Sequence, residues 1–246
     1  MANVKWNQPF DVLRQKWHEV PAGDIGRLKT SDIIDLPDNE LLALWEQKRV
    51  SATTGDYFNV RGWYHLIYKD ILRAKKVIDI GSGFGIDGIT FAQNGAEITF
   101  VDIVDLNLEI LKRLCYLLKL DNVNFFHLTN LKSFKSLPTD YKVIWAQGSL
   151  ITAPFDIIRK EAKELLEHLP VGGRWIELAY PKERWERDGK MPFDQWGEKT
   201  DGGAPWIEWY DLDKIMSRFD PVKFDTLLHF NFYYDNFNWF DLVRRA

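Results

Sequence analysis

The chain has 246 residues, 46% hydrophobic and 28% charged, enough apolar side chain for one α/β domain with additions and a composition that excludes global disorder. Its formal net charge of -4 lacks the basic character that a nucleic-acid partner calls for. The single cysteine, Cys115, excludes an internal disulfide and a cysteine-rich metal site.

Before residue 75 the pattern is helical and irregular. Asp38–Arg49 opens on a capping Asp and places apolar residues at 41, 42, 44 and 45, and Gly62–Arg73 is amphipathic. Residues 76–180 then alternate strand and helix patterns, which predicts stacked βαβ units on a parallel sheet. The strands are Lys76–Ile80, Glu97–Ile103, Val123–Leu128, Lys142–Ala146 and Arg174–Ala179, with helices at Gly85–Asn94, Asn107–Leu118 and Ile157–His168. Residues 181–210 read as a loop rich in Gly, Pro and Trp. A short helix starts at Asp211, and two β-rich runs, Val222–Tyr233 and Phe237–Arg244, suit a hairpin on the sheet edge. The expected organisation is a helical lid over residues 1–74 that caps the substrate, and a ligand-binding domain over 75–246 with an insert at about 181–210. No apolar run is long enough to span a bilayer and no signal peptide opens the sequence, so the expected location is the cytoplasm.

Aromatic residues crowd both ends of the chain. Of 11 Trp, Trp6, Trp17, Trp45 and Trp63 come early, and Trp185, Trp196, Trp206, Trp209 and Trp239 come late. Two readings stand: packing in the core and at its edges, or an aromatic-walled pocket where the two ends meet.

The stretch from Lys75 to Gly88, KKVIDIGSGFGIDG, carries the chemistry. Gly83-x-Gly85-x-x-Gly88 matches the dinucleotide fingerprint, but that fingerprint puts its first glycine directly after the strand. The strand ends at Ile80, so Gly81-x-Gly83-x-Gly85 fits better, and in that register Ile86 stands where the third dinucleotide glycine belongs. Asp79 lies inside the strand, at the mouth of the sheet. A carboxylate there repels pyrophosphate and suits an ammonium group. The turn therefore reads as built for a ligand with an amino-acid part and a nucleoside, approached closely by bare glycine backbone. Asp102 closes the second strand about 20 residues beyond the glycines, where an acid takes ribose hydroxyls.

The run resembles motif I of class I S-adenosylmethionine-dependent methyltransferases, hydrophobic-hydrophobic-Asp-hydrophobic-Gly-x-Gly-x-Gly. The resemblance extends by order of elements over roughly residues 60–246. FVDIV matches the ribose-binding segment, FFHLTNL the segment whose polar residue contacts adenine, and VIWAQGSL the fourth-strand motif. LLEHLPVGGRWIEL matches the turn before strand five, with Val171 inserted. The family usually has Asp where this chain has Asn130. The resemblance implies a doubly wound, Rossmann-like seven-stranded sheet with an N-terminal helical lid. It also implies S-adenosylmethionine as cofactor and S-adenosylhomocysteine as product. It assigns the cofactor to Asp79, Gly81, Ser82, Gly83, Asp102, Ile103, Asn130, Leu131 and Gln147.

The residues after strand four set several subclasses aside. Ala146-Gln147-Gly148-Ser149 stands where nucleic-acid amino-methylating enzymes carry Asn/Asp-Pro-Pro-aromatic. Ile151-Thr152 stands where many small-molecule relatives carry a His pair, no acids are placed there to hold a metal, and Cys115 is on a helix pattern. Functional residues of such sheets gather at the carboxyl ends of the strands. Tyr57, Arg61, Trp63, Arg184, Trp206 and Trp209 are therefore the substrate-binding candidates, and Tyr180, Asp201 and Glu208 the catalytic ones, with Glu208 or Asp201 as base. The alternative for the insert is that Asp211 caps the helix Leu212–Arg218, Glu208 is solvated and the Trps pack. The expected activity is methyl transfer to a small polar molecule, at oxygen first and nitrogen next, in natural-product or glycan tailoring, with no metal, nucleic acid or membrane. A nicotinamide-dependent oxidoreductase and a non-catalytic methyltransferase-like cofactor-binding protein remain open.

Overall fold

A computed structural model describes residues 6, 8–21, 27–200 and 202–245. In chain order the elements are α1 (Pro9–Lys16), β1 (Glu19–Pro21), β2 (Arg27–Lys29), α2 (Thr30–Ile33), α3 (Asp38–Thr53), α4 (Gly62–Ile71), β3 (Lys76–Ile80), α5 (Ile86–Gln93), β4 (Glu97–Asp102) and α6 (Asp105–Leu117). Next come β5 (Val123–His127), β6 (Val143–Gln147), α7 (Phe155–Leu166), β7 (Arg174–Ala179), α8 (Lys182–Arg187), α9 (Phe193–Thr200), α10 (Leu212–Phe219), β8 (Phe224–Phe232) and β9 (Phe237–Arg244). Strands β3 to β9 make a seven-stranded mixed sheet flanked by helices, the Rossmann-like fold class that the resemblance implies. No described helix is long and apolar enough to cross a membrane.

The chain divides into two compact units, Trp17–Leu128 and the combination of Met1–Lys16 with Thr129–Ala246. The segment 1–74, one lid in the sequence reading, is thus shared between them.

In the unit Trp17–Leu128 the strand order is β5-β4-β3, all parallel. Parallel strands covered on both faces need continuous apolar runs rather than alternation. Accordingly Val77, Ile78, Ile80, Ile98, Phe100 and Val101 are all buried. Helix α6 supplies Leu108, Leu111 and Leu114 to the same core at helical spacing. It also holds the N-terminal segment. The Asn107 amide donates to the Trp17 carbonyl at 3.1 Å and accepts from the Thr30 hydroxyl at 2.7 Å. Arg113 donates to the Leu36 carbonyl and to Asp38 Oδ1, each at 2.7 Å.

In the other unit β6 runs parallel to β7, and β9 and β8 come next, antiparallel. Trp145 meets Trp239 edge-on with centroids 5.5 Å apart, and Trp175 meets Phe219 at 4.8 Å. Under this aromatic layer lies a charge pair with no exposed side-chain surface, Arg218 of α10 and Glu177 of β7. Arg218 Nη1 donates to Glu177 Oε1 at 3.1 Å, and the Trp175 indole donates to Oε2 at 2.7 Å. The pair fixes α10 against the sheet.

The main departure from the sequence reading is the insert, which contains α8 and α9 rather than a continuous loop. Lys182–Arg187, KERWER, follows Pro181 and is rich in straight-chain helix formers. The surrounding Gly and Pro hide that signal. Trp196 of α9 is fully buried, with its indole donating to Asp188 Oδ2 at 2.9 Å.

The buried charges can be checked by substitution. Arg218→Met leaves Glu177 buried and uncompensated, and urea unfolding should show a loss of about 3–5 kcal/mol; adding Glu177→Leu should restore much of it. Burial raises the Glu161 carboxyl to about 7, opposed by Arg218 and reinforced by Glu177. The folded state therefore keeps a proton that the unfolded state releases, so this contribution is present at low pH and is lost as pH rises through about 7. Glu161→Gln should gain stability relative to the parent protein between about pH 5 and about pH 8, measured as the difference in urea midpoints.

Candidate functional site

The turn after β3 has the second of the two glycine registers. Gly81 follows the strand directly, its N–H donating to the Val101 carbonyl at 2.8 Å. Gly81, Gly83 and Gly85 all take left-handed backbone, with φ of 69°, 56° and 72°. The Ser82 hydroxyl ties back to the Asp79 carbonyl at 2.9 Å, and α5 starts only after Gly85. Gly88 has another reason to be glycine. A Cβ there would lie 2.3 Å from Phe100 Cε1 and 2.7 Å from Asp79 Oδ2, so the residue lets α5 pack against β3 and β4.

Asp79 is 4% exposed, and its Oδ2 is buried without a hydrogen-bond partner among the described residues. Burial pushes this carboxyl well above the usual carboxylate range, and the nearby Asp87 pushes it further, while Ser82 and Arg61 oppose. Asp87, in the first turn of α5, is the better-satisfied acid. Its Oδ1 receives Arg61 Nη1 at 2.9 Å and lies 2.7 Å from His65 Nε2, and its Oδ2 receives the Tyr64 hydroxyl at 3.4 Å. Burial raises the Tyr64 hydroxyl well above its ordinary value. Arg61 is therefore engaged inside the protein, on Asp87. Trp63 stands edge-on to Tyr64 at 5.5 Å, and Tyr57 is half-buried in a 3-10 turn over Gly55–Asn59.

Asp102 ends β4, is 6% exposed, and takes the Val104 N–H on Oδ1 at 2.8 Å. Burial raises its carboxyl to about 7 against hydrogen bonds from Val104, Asn107 and Ile103. Ile103 follows it, half-buried, with its carbonyl 3.2 Å from His127 Nε2.

The remaining cofactor candidates are in the other unit. Asn130 is exposed and caps the 3-10 turn Leu131–Ser136, its Oδ1 accepting the Lys132 N–H at 3.0 Å. Its Nδ2 donates to Thr129 Oγ1 at 3.2 Å, and Leu131 opens the turn, half-buried. The turn-forming role of Asn is thus realised at this position. Gln147 ends β6 with both amide atoms buried and unpartnered among the described residues, as is the Ser149 hydroxyl. Gly148 between them has φ of 75° and open space where a Cβ would stand.

The insert is sewn to the segments after β6 and β7 by backbone. Glu208 N–H donates to the Ile151 carbonyl at 3.0 Å and Tyr210 N–H to the Tyr180 carbonyl at 2.9 Å. Asp211 does cap α10, accepting the Lys214 N–H at 2.8 Å. Glu208, however, is not solvated: it is 5% exposed. Its Oε2 accepts the Phe155 N–H and the Trp206 indole N–H, both at 3.0 Å, and its Oε1 pairs with Lys214 at 2.7 Å. Around it the rings form one group, with Trp206 5.4 Å from Phe193 and Trp185 6.0 Å from Trp209. Trp6, from the other end of the chain, stands edge-on to Trp206 at 6.0 Å. Tyr180 is buried, 5.9 Å from Trp196 and 5.7 Å from Phe237. The Arg184 guanidinium lies 4.1 Å over the Tyr180 ring and donates to the Asn236 carbonyl at 3.0 Å, holding the β8–β9 turn. Asp201 lies outside the described residues.

Sequence reasoning singled out neither Asp87 nor Lys214. The α4 spacing of 61, 64 and 65 gives i, i+3 and i+4 positions on one helix face, a signal that pointed toward a shared partner. Lys214 has no such local signal, because its partner Glu208 lies outside the helix.

No family model matches the chain. A ubiquinone biosynthesis O-methyltransferase from Stutzerimonas stutzeri (strain A1501) is 34% identical over 101 residues, covering 40% of this chain and 35% of that protein. The chain thus matches only about a third of that relative's length. A magnesium protoporphyrin IX methyltransferase from Synechocystis PCC 6803, solved with bound S-adenosylhomocysteine, superposes with a TM-score of 0.58 at 18% identity, over 98% of this chain and 96% of that one. A 1,6-didemethyltoxoflavin-N1-methyltransferase from Burkholderia thailandensis gives 0.56 at 14% identity, over 85% and 87%. The chain has the fold of class I methyltransferases.

The packing at Gly88 yields a direct check. Gly88→Ala should cost about 1–3 kcal/mol in urea unfolding, because the added methyl has Phe100 and Asp79 in its way.

Proposed function

We propose that this protein is an S-adenosylmethionine-dependent methyltransferase acting on a small polar molecule, at oxygen in first place and nitrogen in second, in the tailoring of natural products or glycans. The observation that carries the reading is Asp79. It is a buried carboxyl with one oxygen unpartnered among the described residues, directly before a turn whose three glycines leave the backbone bare. An ammonium group would supply the missing partner and favour the charged form of the carboxyl. The methionine end of S-adenosylmethionine carries such a group.

In the unit Trp17–Leu128, Asp79 with Gly81, Ser82 and Gly83 would take the amino-acid end of the cofactor, and Asp102 with Ile103 its ribose. In the other unit, Gln147 brings an amide with no partner among the described residues, which suits a polar ligand. Asn130 and Leu131 are assigned to adenine by the resemblance, and Asn130 there doubles as a turn cap. The cofactor supplies a methyl group already activated by a sulfonium. The protein's part is to hold the acceptor behind that carbon and to exclude water. The aromatic faces of Trp206 and Trp209 suit that wall, and Trp6 brings a part of residues 1–74 to it. Arg61 and Arg184, with partners in the protein, serve as supports in this reading rather than as ligands of an acidic acceptor. The enzymes that the chain resembles, an O-methyltransferase and an N-methyltransferase, agree with methyl transfer in general.

The test is a thermal-shift panel with S-adenosylmethionine, S-adenosylhomocysteine, NAD and NADP. A ligand at a hundredfold excess over its dissociation constant adds about 2.7 kcal/mol, and roughly 5–10 °C for a protein of this size. The expected result is a shift with the two sulfur ligands alone, and about tenfold or more weaker S-adenosylhomocysteine binding in Asp79→Asn by calorimetry. A shift with NAD or NADP alone would replace the methyltransferase by an oxidoreductase. Cofactor binding with no turnover of any acceptor would point to the non-catalytic alternative.

A further inference from the structure

The acid expected to act as base is fully engaged, and the structure puts a cation in its place. Glu208 meets three donors, from Phe155, Trp206 and Lys214. Lys214 has three N–H donors, and among the described residues Glu208 Oε1 is its one oxygen partner, at 2.7 Å. The rest of the ammonium faces rings: Nζ lies 4.0 Å from the Trp209 ring centre, 5.1 Å from Tyr210 and 5.3 Å from Phe193. The Trp209 indole N–H is also buried, with no acceptor among the described residues. The indole N–H is thus a buried donor without an acceptor among the described residues, and the Lys214 side chain beside it, though paired with Glu208, keeps part of its surface exposed. Burial lowers the Lys214 ammonium below its ordinary value, with Glu208 and Asp211 opposing. Such a site favours a ligand oxygen that carries negative charge and sits on a flat apolar body.

We propose that Lys214 and the Trp209 indole N–H bind the oxygen of a planar phenol-type acceptor as its oxyanion, and that this oxyanion receives the methyl group. This inference rests on the methyltransferase reading and narrows it to aromatic or enolic hydroxyls, against the hydroxyls of sugars. An aromatic hydroxyl ionises near 10 in water, and a neighbouring cation lowers that by about 1–3 units. A saturated alcohol is far less acidic and needs a base. The acceptor proton leaves to solvent on binding. The oxyanion lone pair then forms the carbon–oxygen bond while the carbon–sulfur bond breaks, its electron pair staying on sulfur. Sulfonium and oxyanion become a neutral thioether and a neutral ether.

The probe is 4-nitrophenol, whose phenolate is yellow, added to the whole 246-residue chain saturated with S-adenosylhomocysteine. Its ionisation midpoint when bound should fall by about 1–3 units below its value in buffer. Lys214→Arg should keep most of that fall. Lys214→Met should abolish it, and so should Lys214→Met with Glu208→Gln, a pair that leaves no lone buried charge if the single variant folds poorly. In parallel, methyl transfer from labelled S-adenosylmethionine to a series of 4-substituted phenols should exceed transfer to methyl glucoside, with the loss in Lys214→Met appearing in KM as well as kcat. If S-adenosylhomocysteine fails to bind by calorimetry, the underlying methyltransferase reading falls. If it binds, an unshifted midpoint, no binding of 4-nitrophenol, or an equal shift in both Met variants overturns the role of Lys214. Preferred transfer to methyl glucoside overturns the acceptor class.

Discussion

A carboxyl buried without its full set of partners is costly, and Asp79 carries that cost at the end of β3. Much of its surroundings is arranged around this acid. Gly88 must lack a side chain for α5 to close over its Oδ2, and Ser82 folds back on its carbonyl to set the glycine turn. Asp87, in the first turn of α5, adds a second negative charge nearby, which Arg61 offsets. The result is a carboxyl whose charged form burial disfavours and whose Oδ2 has no hydrogen-bond partner among the described residues.

Helix α4 owes its position to the second of these acids. Arg61, Tyr64 and His65 converge on Asp87 from one face of that helix. A cation near a ligand site invites the reading that it meets the ligand. Here the competing demand is stronger, because a buried carboxylate must be paired or hydrogen-bonded. Arg184 follows the same logic in the other unit. Stacked on Tyr180 and donating to Asn236, it shapes the β8–β9 turn.

The insert solves a different problem. A Trp-rich segment with glycines and a proline has little reason to be ordered on its own. It is ordered by backbone bonds to Ile151 and Tyr180, by Glu208 gathering three donors, and by Arg218 of α10 anchored on Glu177 under the sheet. Ordering by charges inside an aromatic layer leaves an ammonium, paired with Glu208, and a buried indole N–H without an acceptor among the described residues against the same rings.

The sequence by itself determined the alternation of strands and helices, the glycine register and the placement of Asp79 and Asp102. Those features depend on the period of apolar residues and on the conformations that only glycine adopts readily, both local properties. It left open whether the early and late Trps pack in the core or wall a pocket where the ends meet, and Trp6 meets Trp206. Only the tertiary structure decided which charges were occupied. Arg61 met Asp87 across 26 residues, Phe155 met Glu208 across 53, and Arg218 met Glu177 across 41. Neither periodicity nor spacing encodes such pairs, because each forms where two elements pack and exclude water, and it is the loss of water that obliges a buried charge to find its partner.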